Sequence, residues 1–347
     1  MTTTAYSTNA GRVNEIKGET LGHAIPVEVL ALGCNMKKMP KKQGDNITYR
    51  RWLPFGATNT NVNTQNRPAA TASAHITQEG VTPAADTLTP VDVNVVQQQY
   101  ACLYAYTDKA AELYEDDIPE EMKIQTGERM GLVREMVRFG VIKAGTNVIY
   151  AGGTTRLTVD EKITLNVLRR MTRILKLNHA KKKTRILAPS QNYDTSAVDA
   201  AYVVFVSTDA QADVEDLPLY TPVAKYGQRS PINENEIGSS GEFRFILSPE
   251  LTAYANAGAS VGSTDLVSTG ASTIDVYPFM VMGEDAVYDV ALRGLDSFDV
   301  IHIPHNKEDK SDPLKQRGYV GAKFWSAVAI VNGGRMGVIE AGVTDLT

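Results

Sequence analysis

One stretch, Pro119 to Lys143, limits the folds open to this chain more than any other. Asp116 and Asp117 precede it, and Glu120 and Glu121 fall in its first turn. Proline at a first helical position and carboxylates near the positive end of a helix dipole are start signals. Met122, Thr126, Met130, Val133, Val137 and Val141 then recur at steps of three and four, which predicts one apolar face. Arg129, Arg134, Arg138 and Lys143 load the later turns with positive charge, as the dipole prefers. Gly127, Gly131 and Gly140 oppose a helix by about 1 kcal/mol each relative to Ala, so close packing against a neighbour is expected there. Gly145 can end it. At about 1.5 Å per residue the helix is a rod of roughly 37 Å, long enough for the other elements to pack along it.

The 347 residues are 43% hydrophobic and 22% charged, which suffices for a sizeable core and suggests two domains or one with large insertions. A net charge of -5 excludes a protein that binds nucleic acid through its overall charge. Cys34 and Cys102 give neither a metal spacing nor a disulfide framework, which fits a reducing compartment. Met1 to Ala10 is Thr-rich and uncharged, so neither a signal peptide nor a removed pro-segment is expected. No run approaches the length of a membrane span.

Residues 1–45 lack firm periodicity and read as an arm that packs on something else. Ile47 to Leu53 reads as a strand and Val91 to Tyr106 as its return partner. Residues 54–90 between them are rich in Thr, Asn, Ala and Pro and nearly devoid of large apolar side chains. Such a loop is rare inside a compact domain. It is either disordered or an extended hairpin ordered by a neighbouring subunit, whose legs could reach roughly 60 Å. Thr107 to Glu115 predicts a short helix, and Thr158 with Glu161 predicts a capping box before a helix with Leu168, Met171 and Leu175 on its buried stripe, ending at Asn178 and His179. Strands are predicted at Arg185–Ala188, Tyr202–Val206, Phe243–Leu247 and Ile274–Val281, with a turn or helix from Thr208 to Leu217 and a surface loop from Gly258 to Ser272. In Gly318–Gly342, two apolar strands are expected to form a hairpin at Asn332-Gly333-Gly334 and to return to the core near the long helix. The mixture is α+β.

No constellation argues for catalysis, and the chain is read as a non-enzyme without cofactor or metal. His302-Ile303-Pro304-His305 has no third ligand nearby and reads as two solvated loop histidines. Gly238-Ser239-Ser240-Gly241 lacks the pattern of a nucleophile elbow, and Gly321-Ala322-Lys323 lacks the upstream glycine of a phosphate loop. Glu112, Glu115, Asp116, Asp117, Glu120 and Glu121 could hold a divalent cation but read better as a solvated helix entry or an electrostatic partner surface. Lys37, Lys38, Lys41, Lys42, Arg50 and Arg51 form the opposite patch; Arg169, Arg170, Arg173, Lys176 and Lys181 to Lys183 form a second basic one. Aromatic interleaving is poor, so contact with an acidic surface on another copy is at least as good a reading as nucleic acid. The first twelve of these charged residues are the candidate subunit-interface groups.

The order of parts — arm, low-complexity hairpin, long helix, α+β region, late return to the core — resembles the major capsid proteins of tailed bacteriophages. Several motifs carry the same resemblance: Glu79-Gly80 in the loop, Glu236-Ile237-Gly238 followed by Gly241-x-Phe243-Arg244-Phe245, Tyr277-Pro278 with Gly283-x-Asp285-Ala286, and Asp312-Pro313-Leu314-x-Gln316-Arg317-Gly318 with Gly321-x-Lys323. Ala322 stands where this family often has Trp. The resemblance implies an N-terminal arm (1–45), an extended hairpin loop (46–106), a peripheral domain with a spine helix (107–183), an axial domain (184–310) and return strands of the peripheral domain (311–347). It also implies a subunit that self-assembles as hexamers and pentamers into an icosahedral virion capsid around double-stranded DNA. Portal, scaffolding and decoration proteins would be partners, DNA would be packaged without sequence-specific binding or any membrane, and assembly would occur in the host cytoplasm. A nanocompartment shell of the same fold is the alternative, and an α+β enzyme with an unrecognised site a more distant one.

Overall fold

The computed structural model describes residues 25–42, 44–57, 61–83, 85–114, 117–184, 200–226, 231–262, 264–292, 300–306 and 312–346. Strand β1 is Asn35–Met39, β2 is Asn46–Trp52 and β3 is Pro90–Val96. β2 and β3 pair antiparallel, with Tyr49 opposite Val93, and form the base of the expected hairpin. The single return leg expected from Val91 to Tyr106 is instead two strands. Gln97 interrupts it: its side chain is buried and donates to the Val290 carbonyl at 2.9 Å, and its amide donates to Asp45. Beyond it, β4 (Gln98–Thr107) joins a different sheet.

Helix α1 (Asp108–Leu113) starts where Thr107 Oγ accepts the Ala110 amide, and α2 (Ile118–Ile142) is the long helix. Asp117 caps α2 by accepting the Glu120 amide at 3.2 Å. Its first half buries Met122, Thr126 and Met130 as expected. The second half does not follow the valines. Glu135, Arg138, Phe139 and Ile142 are buried, while Val133, Val137 and Val141 are half-buried, because charged partners lie beneath the helix there.

After β5 (Val148–Tyr150) comes α3 (Leu165–Leu177), capped by Thr164 rather than Thr158. Thr158 Oγ is occupied in a tighter turn, accepting the amides of Thr154 and Thr155 at 3.1 Å each. Leu168, Met171 and Leu175 are buried as predicted, and the helix ends at Asn178, with His179 at a φ of 53°. The strand expected at Arg185–Ala188 lies outside the described residues. β6 (Tyr202–Ser207) leads into α4 (Gln211–Glu215), then β7 (Tyr220–Pro222), β8 (Glu236–Ser240), β9 (Phe243–Ser248), β10 (Tyr277–Met282), β11 (Val287–Leu292), β12 (Val300–Ile303), β13 (Arg317–Ile330) and β14 (Met336–Ala341).

Seven strands form the larger sheet in the order β5-β14-β10-β6-β9-β8-β7. Every residue of β6, β9, β10 and β14 is buried, because alternate side chains enter two cores. Tyr202, Val204 and Val206 of β6 face Leu168, Met171 and Leu175 of α3 in one core. Val203 and Phe205 face Phe139 and Ile142 of α2, with Val29 and Leu30 of the arm, in the other. The smaller sheet has the order β1-β11-β13-β12, with β4 along the other edge of β13. Its inner face packs on α2: Tyr106 and Val320 meet Met122, and Ala322 and Phe324 meet Met130.

β13 and β14 turn at residues 331–335 but do not pair with each other, correcting the expected terminal hairpin. β13 lies in the smaller sheet and β14 in the larger, so this apolar segment joins the two sheets. Residues 107–183, 184–310 and 311–347 each contribute strands or helices to both halves of the structure.

Two motif glycines are close approaches. A Cβ on Gly238 would stand 2.6 Å from the Thr221 carbonyl oxygen, beside the register shift between β8 and β9. A Cβ on Gly318 would stand 2.1 Å from Cζ of the Tyr106 ring. No other side chain fits either place.

Candidate subunit-contact surfaces

The hairpin is anchored at its base and bare beyond it. Tyr49 packs edge-on to Tyr288 with centroids 5.1 Å apart, and Ile47, Val93 and Val95 complete a small cluster with Met39, Val290 and Ala327. Asn61–Arg67 folds back on this base, burying Gln65. Every described residue from Thr71 to Thr89 is exposed, including the apolar Ile76, Val81 and Leu88. Within a single chain no apolar burial offsets the conformational entropy of ordering these residues, about 1–2 kcal/mol each.

A second apolar surface is the outer face of the smaller sheet. Leu103 of β4, Gly321 of β13 and Ile301 of β12 stand side by side in register, and Ile303 pairs with Tyr319. Leu103 is 54% exposed, Ile301 50% and Ile303 46%. Gly321 lowers the middle of this face, leaving it flat. Contiguous exposed apolar surface rimmed by polar residues marks association sites.

The charged candidates are placed differently from one another. Lys37 and Lys38 lie exposed on β1, an edge strand, with the Lys37 ammonium 5.1 Å from the Tyr288 ring centroid. Lys41 and Lys42 are exposed in the following turn, with Lys42 at a φ of 66°. Arg50 is held within the hairpin by two hydrogen bonds to Asp92, each 2.7 Å, which draw the Asp92 carboxyl below its usual range. Arg51 donates to Asn66 and Gln65. On the acidic side, Asp117 caps α2, Glu120 pairs with Lys123 at 2.8 Å, and Glu121 accepts from Gln125. Glu112 lies 3.8 Å from His305. Glu115 and Asp116 lie outside the described residues. In the second basic patch, Lys176 and Lys182 both pair with Glu242, and Lys183 donates to the Gly33 carbonyl at 2.6 Å.

His305 lies in the turn after β12, as expected of a loop residue, but His302 is not a solvated loop histidine. His302 sits on β12, half-buried, and its Nε2 lies 2.7 Å from the hydroxyl of buried Tyr106. Burial, then the nearby Lys123, lowers the His302 pKa. Among the described residues no group of His, Cys, Asp and Glu could hold a metal ion, and no helix is long and apolar enough to cross a membrane.

The main charged feature is internal. Arg138 donates from Nε and Nη2 to Asp289 Oδ2 at 2.9 and 2.8 Å, and from Nη1 to Glu135 Oε2 at 3.3 Å. Glu135 Oε1 in turn accepts the amides of Val29 and Leu30 at 2.7 Å each, so α2 holds the arm. Ser326 donates to the other Asp289 oxygen, Arg134 stands 3.8 Å from Asp289, and Glu28 stands 3.8 Å from Arg138. This network joins the arm, α2, β11 and β13. Sequence reasoning missed it because Glu and Arg on a helix normally mark its wet side. Their spacing gave no signal either: Glu135 and Arg138 share a face with Ile142, roughly opposite the face of Met122 and Met130 that the apolar periodicity marks. A second buried group explains the motif around Glu236. Its carboxylate accepts from Tyr226 at 2.9 Å and from the Ile232 amide at 2.7 Å, with Arg244 at 3.9 Å, and so ties down the chain between β7 and β8.

No protein-family model matches the chain. Solved structures do. The capsid of Ralstonia phage GP4 is similar over 99% of this chain and 100% of its own, at a TM-score of 0.63 and 11% identity. The capsid asymmetric unit of cyanophage Pam1 covers 98% of each chain at 0.64 and 12% identity. A structure from Mycobacterium phage Che8 covers 96% of this chain and 98% of its own at 0.57 and 11% identity. The chain has the tailed-phage capsid fold. In sequence it is similar to the major capsid protein of Pseudomonas phage KPP21, 21% identical over 249 residues, which are 66% of this chain and 62% of that protein's length.

Proposed function

We propose that this chain is the repeating subunit of a closed icosahedral capsid around a viral double-stranded DNA genome, a structural protein and not an enzyme. The observation that carries the reading is the whole-chain capsid fold built with a loop that has no core of its own. The bare Thr71–Thr89 segment and the flat face at Leu103, Ile301 and Ile303 are surfaces that further copies can cover. Hexamers and pentamers follow from this reading, as do portal, scaffolding and decoration partners, packaged DNA held without sequence recognition, and assembly in the host cytoplasm. The larger sheet with α3 and α4 is the axial part, and the smaller sheet with α2 the peripheral part. Lys37, Lys38, Lys41 and Lys42 on one side and Glu112, Glu115, Asp116, Asp117, Glu120 and Glu121 on the other are the charges assigned to subunit boundaries. Arg50 and Arg51 contribute less, having partners in their own hairpin.

Negative-stain microscopy of the purified chain, with hydrogen exchange before and after assembly, tests this. Closed shells of uniform size with new protection across residues 71–89 are expected. A chain that stays monomeric across concentration and salt, or shells in which that segment exchanges as it does in the monomer, would refute the reading.

A further inference from the structure

Where the hairpin base meets the β10–β11 and β13–β14 turns, a cavity of about 340 Å³ opens to the surface. Arg51, Arg335, Trp52 and His179 line it, and Asp285 is the carboxylate among its lining residues. Asp285 serves two donors already: Asn35 donates to Oδ1, and Arg335 Nη1 stands 3.7 Å from Oδ2, beyond a good hydrogen bond. Arg51 reaches neutral acceptors, Asn66 Oδ1 at 2.9 Å and Gln65 Oε1 at 2.5 Å. The Nε atoms of both arginines are buried without an acceptor among the described residues. Burial, then the charge of Arg335, pulls the Arg51 pKa down. Two guanidiniums and an imidazole thus surround a space whose one carboxylate is already shared. Guanidinium groups match oxyanions through paired N–H donors, and a phosphate with several waters, each about 30 Å³, fits the volume.

We propose that this cavity is an oxyanion site, binding a carboxylate- or phosphate-sized group between Arg51 and Arg335. The group has two sources: an acidic side chain of a second copy of this chain, or free phosphate. The first source rests on the capsid reading above; the site itself does not.

The test is thermal unfolding of the unassembled subunit in inorganic phosphate against sodium chloride at matched ionic strength. Phosphate should raise the midpoint saturably. Arg335→Gln should raise the half-saturating concentration about tenfold, the equivalent of one charged hydrogen bond. Asp285→Asn should lower it by removing the competing carboxylate, and Asn is at home at the φ of 55° found there. Equal midpoints in phosphate and chloride would overturn the proposal. So would an unchanged half-saturation in Asp285→Asn, a variant that decides the matter even if Arg335→Gln fails to fold. The same titration on assembled shells separates the sources. A response lost on assembly identifies the second copy's carboxylate as the occupant; a response kept identifies the free ion. If no shell forms, the capsid reading fails while the subunit titration still decides the site.

Discussion

Replacing Arg138 with Met removes a guanidinium that is 2% exposed from between two carboxylates that are fully buried. Methionine fills most of the space left by the arginine stem, so the cavity contribution is small and the charge contribution dominates. Three hydrogen bonds to Asp289 and Glu135 vanish, and two negative charges remain in the interior. Removing one partner of a buried ion pair costs about 3–5 kcal/mol. The lower end is expected, because Arg134 is already 3.8 Å from Asp289 and partly exposed, and it can swing inward. Urea unfolding of the unassembled subunit, followed by tryptophan fluorescence, should therefore lose about 3 kcal/mol, or roughly 1 M in midpoint for an m-value near 3 kcal/mol/M. Adding Asp289→Asn should restore part of that loss, giving a coupling of about 1–3 kcal/mol. A single-variant cost below about 1 kcal/mol, or strict additivity in the double variant, would show that the network does not hold α2 to β11.

Three further outcomes follow from the same structure. Cys34 is buried and its pKa is pushed up to about 12, so its thiol should resist alkylation at pH 8 until the chain unfolds; labelling of Cys34 as fast as half-buried Cys102 would contradict its packing. His302 has a lowered pKa, and the groups around it are Lys123, Asp117, Glu120 and His305. Its folded form binds fewer protons than its unfolded form, so its contribution is present above about pH 6.5 and lost as pH falls through the lower folded value; His302→Gln should flatten the stability profile between pH 7.5 and 5, and an unflattened profile would refute this. Gly318→Ala should lower stability by about 1–3 kcal/mol through its clash with Tyr106, while Gly140→Ala, in open space on α2, should be neutral or stabilising when both are measured by thermal unfolding.

What the sequence disclosed depended on whether the signal was local. The entry to α2 was legible because Asp117 accepts an amide three residues on, and the stripe of α3 because a helix sets its spacing whatever strand it meets, although the cap expected at Thr158 proved to be Thr164. The exposure of residues 71–89 was legible from what they lack, since a segment with few large apolar side chains cannot form a core. Pairing was less legible. Val91 to Tyr106 looks like one strand, but the break at Gln97 is imposed by the Val290 carbonyl nearly two hundred residues away. The terminal turn at Asn332-Gly333-Gly334 was read correctly and its consequence was not. A turn signal fixes the change of direction, whereas the partner of each strand depends on which core its apolar face completes. Ala327 of β13 closes the cluster under the hairpin, and Ile339 and Ala341 of β14 close the larger core. The apolar stripe of α2 failed for a related reason: its second half is fixed by Asp289, a residue on another strand.

Charge and apolar surface therefore exchange the roles that composition suggests for association. Many charges that looked available are engaged within the chain: Arg50 by Asp92, Glu120 by Lys123, Lys176 and Lys182 by Glu242, and Glu135 and Arg138 in the interior. An exposed ion pair between copies contributes only about 0–1 kcal/mol, and salt screens it. Apolar burial contributes about 25 cal/mol per Å² and is not screened. Leu103, Ile301 and Ile303 on one face, and Ile76, Val81 and Leu88 on the loop, are among the large apolar side chains this chain leaves in water. On the proposed capsid reading, covering such side chains would supply most of the free energy of association. On the same proposed reading, Lys37, Lys38, Lys41 and Lys42 would act on the rate and register with which copies meet, since they extend from an edge strand and its turn where a neighbour's field is felt before contact.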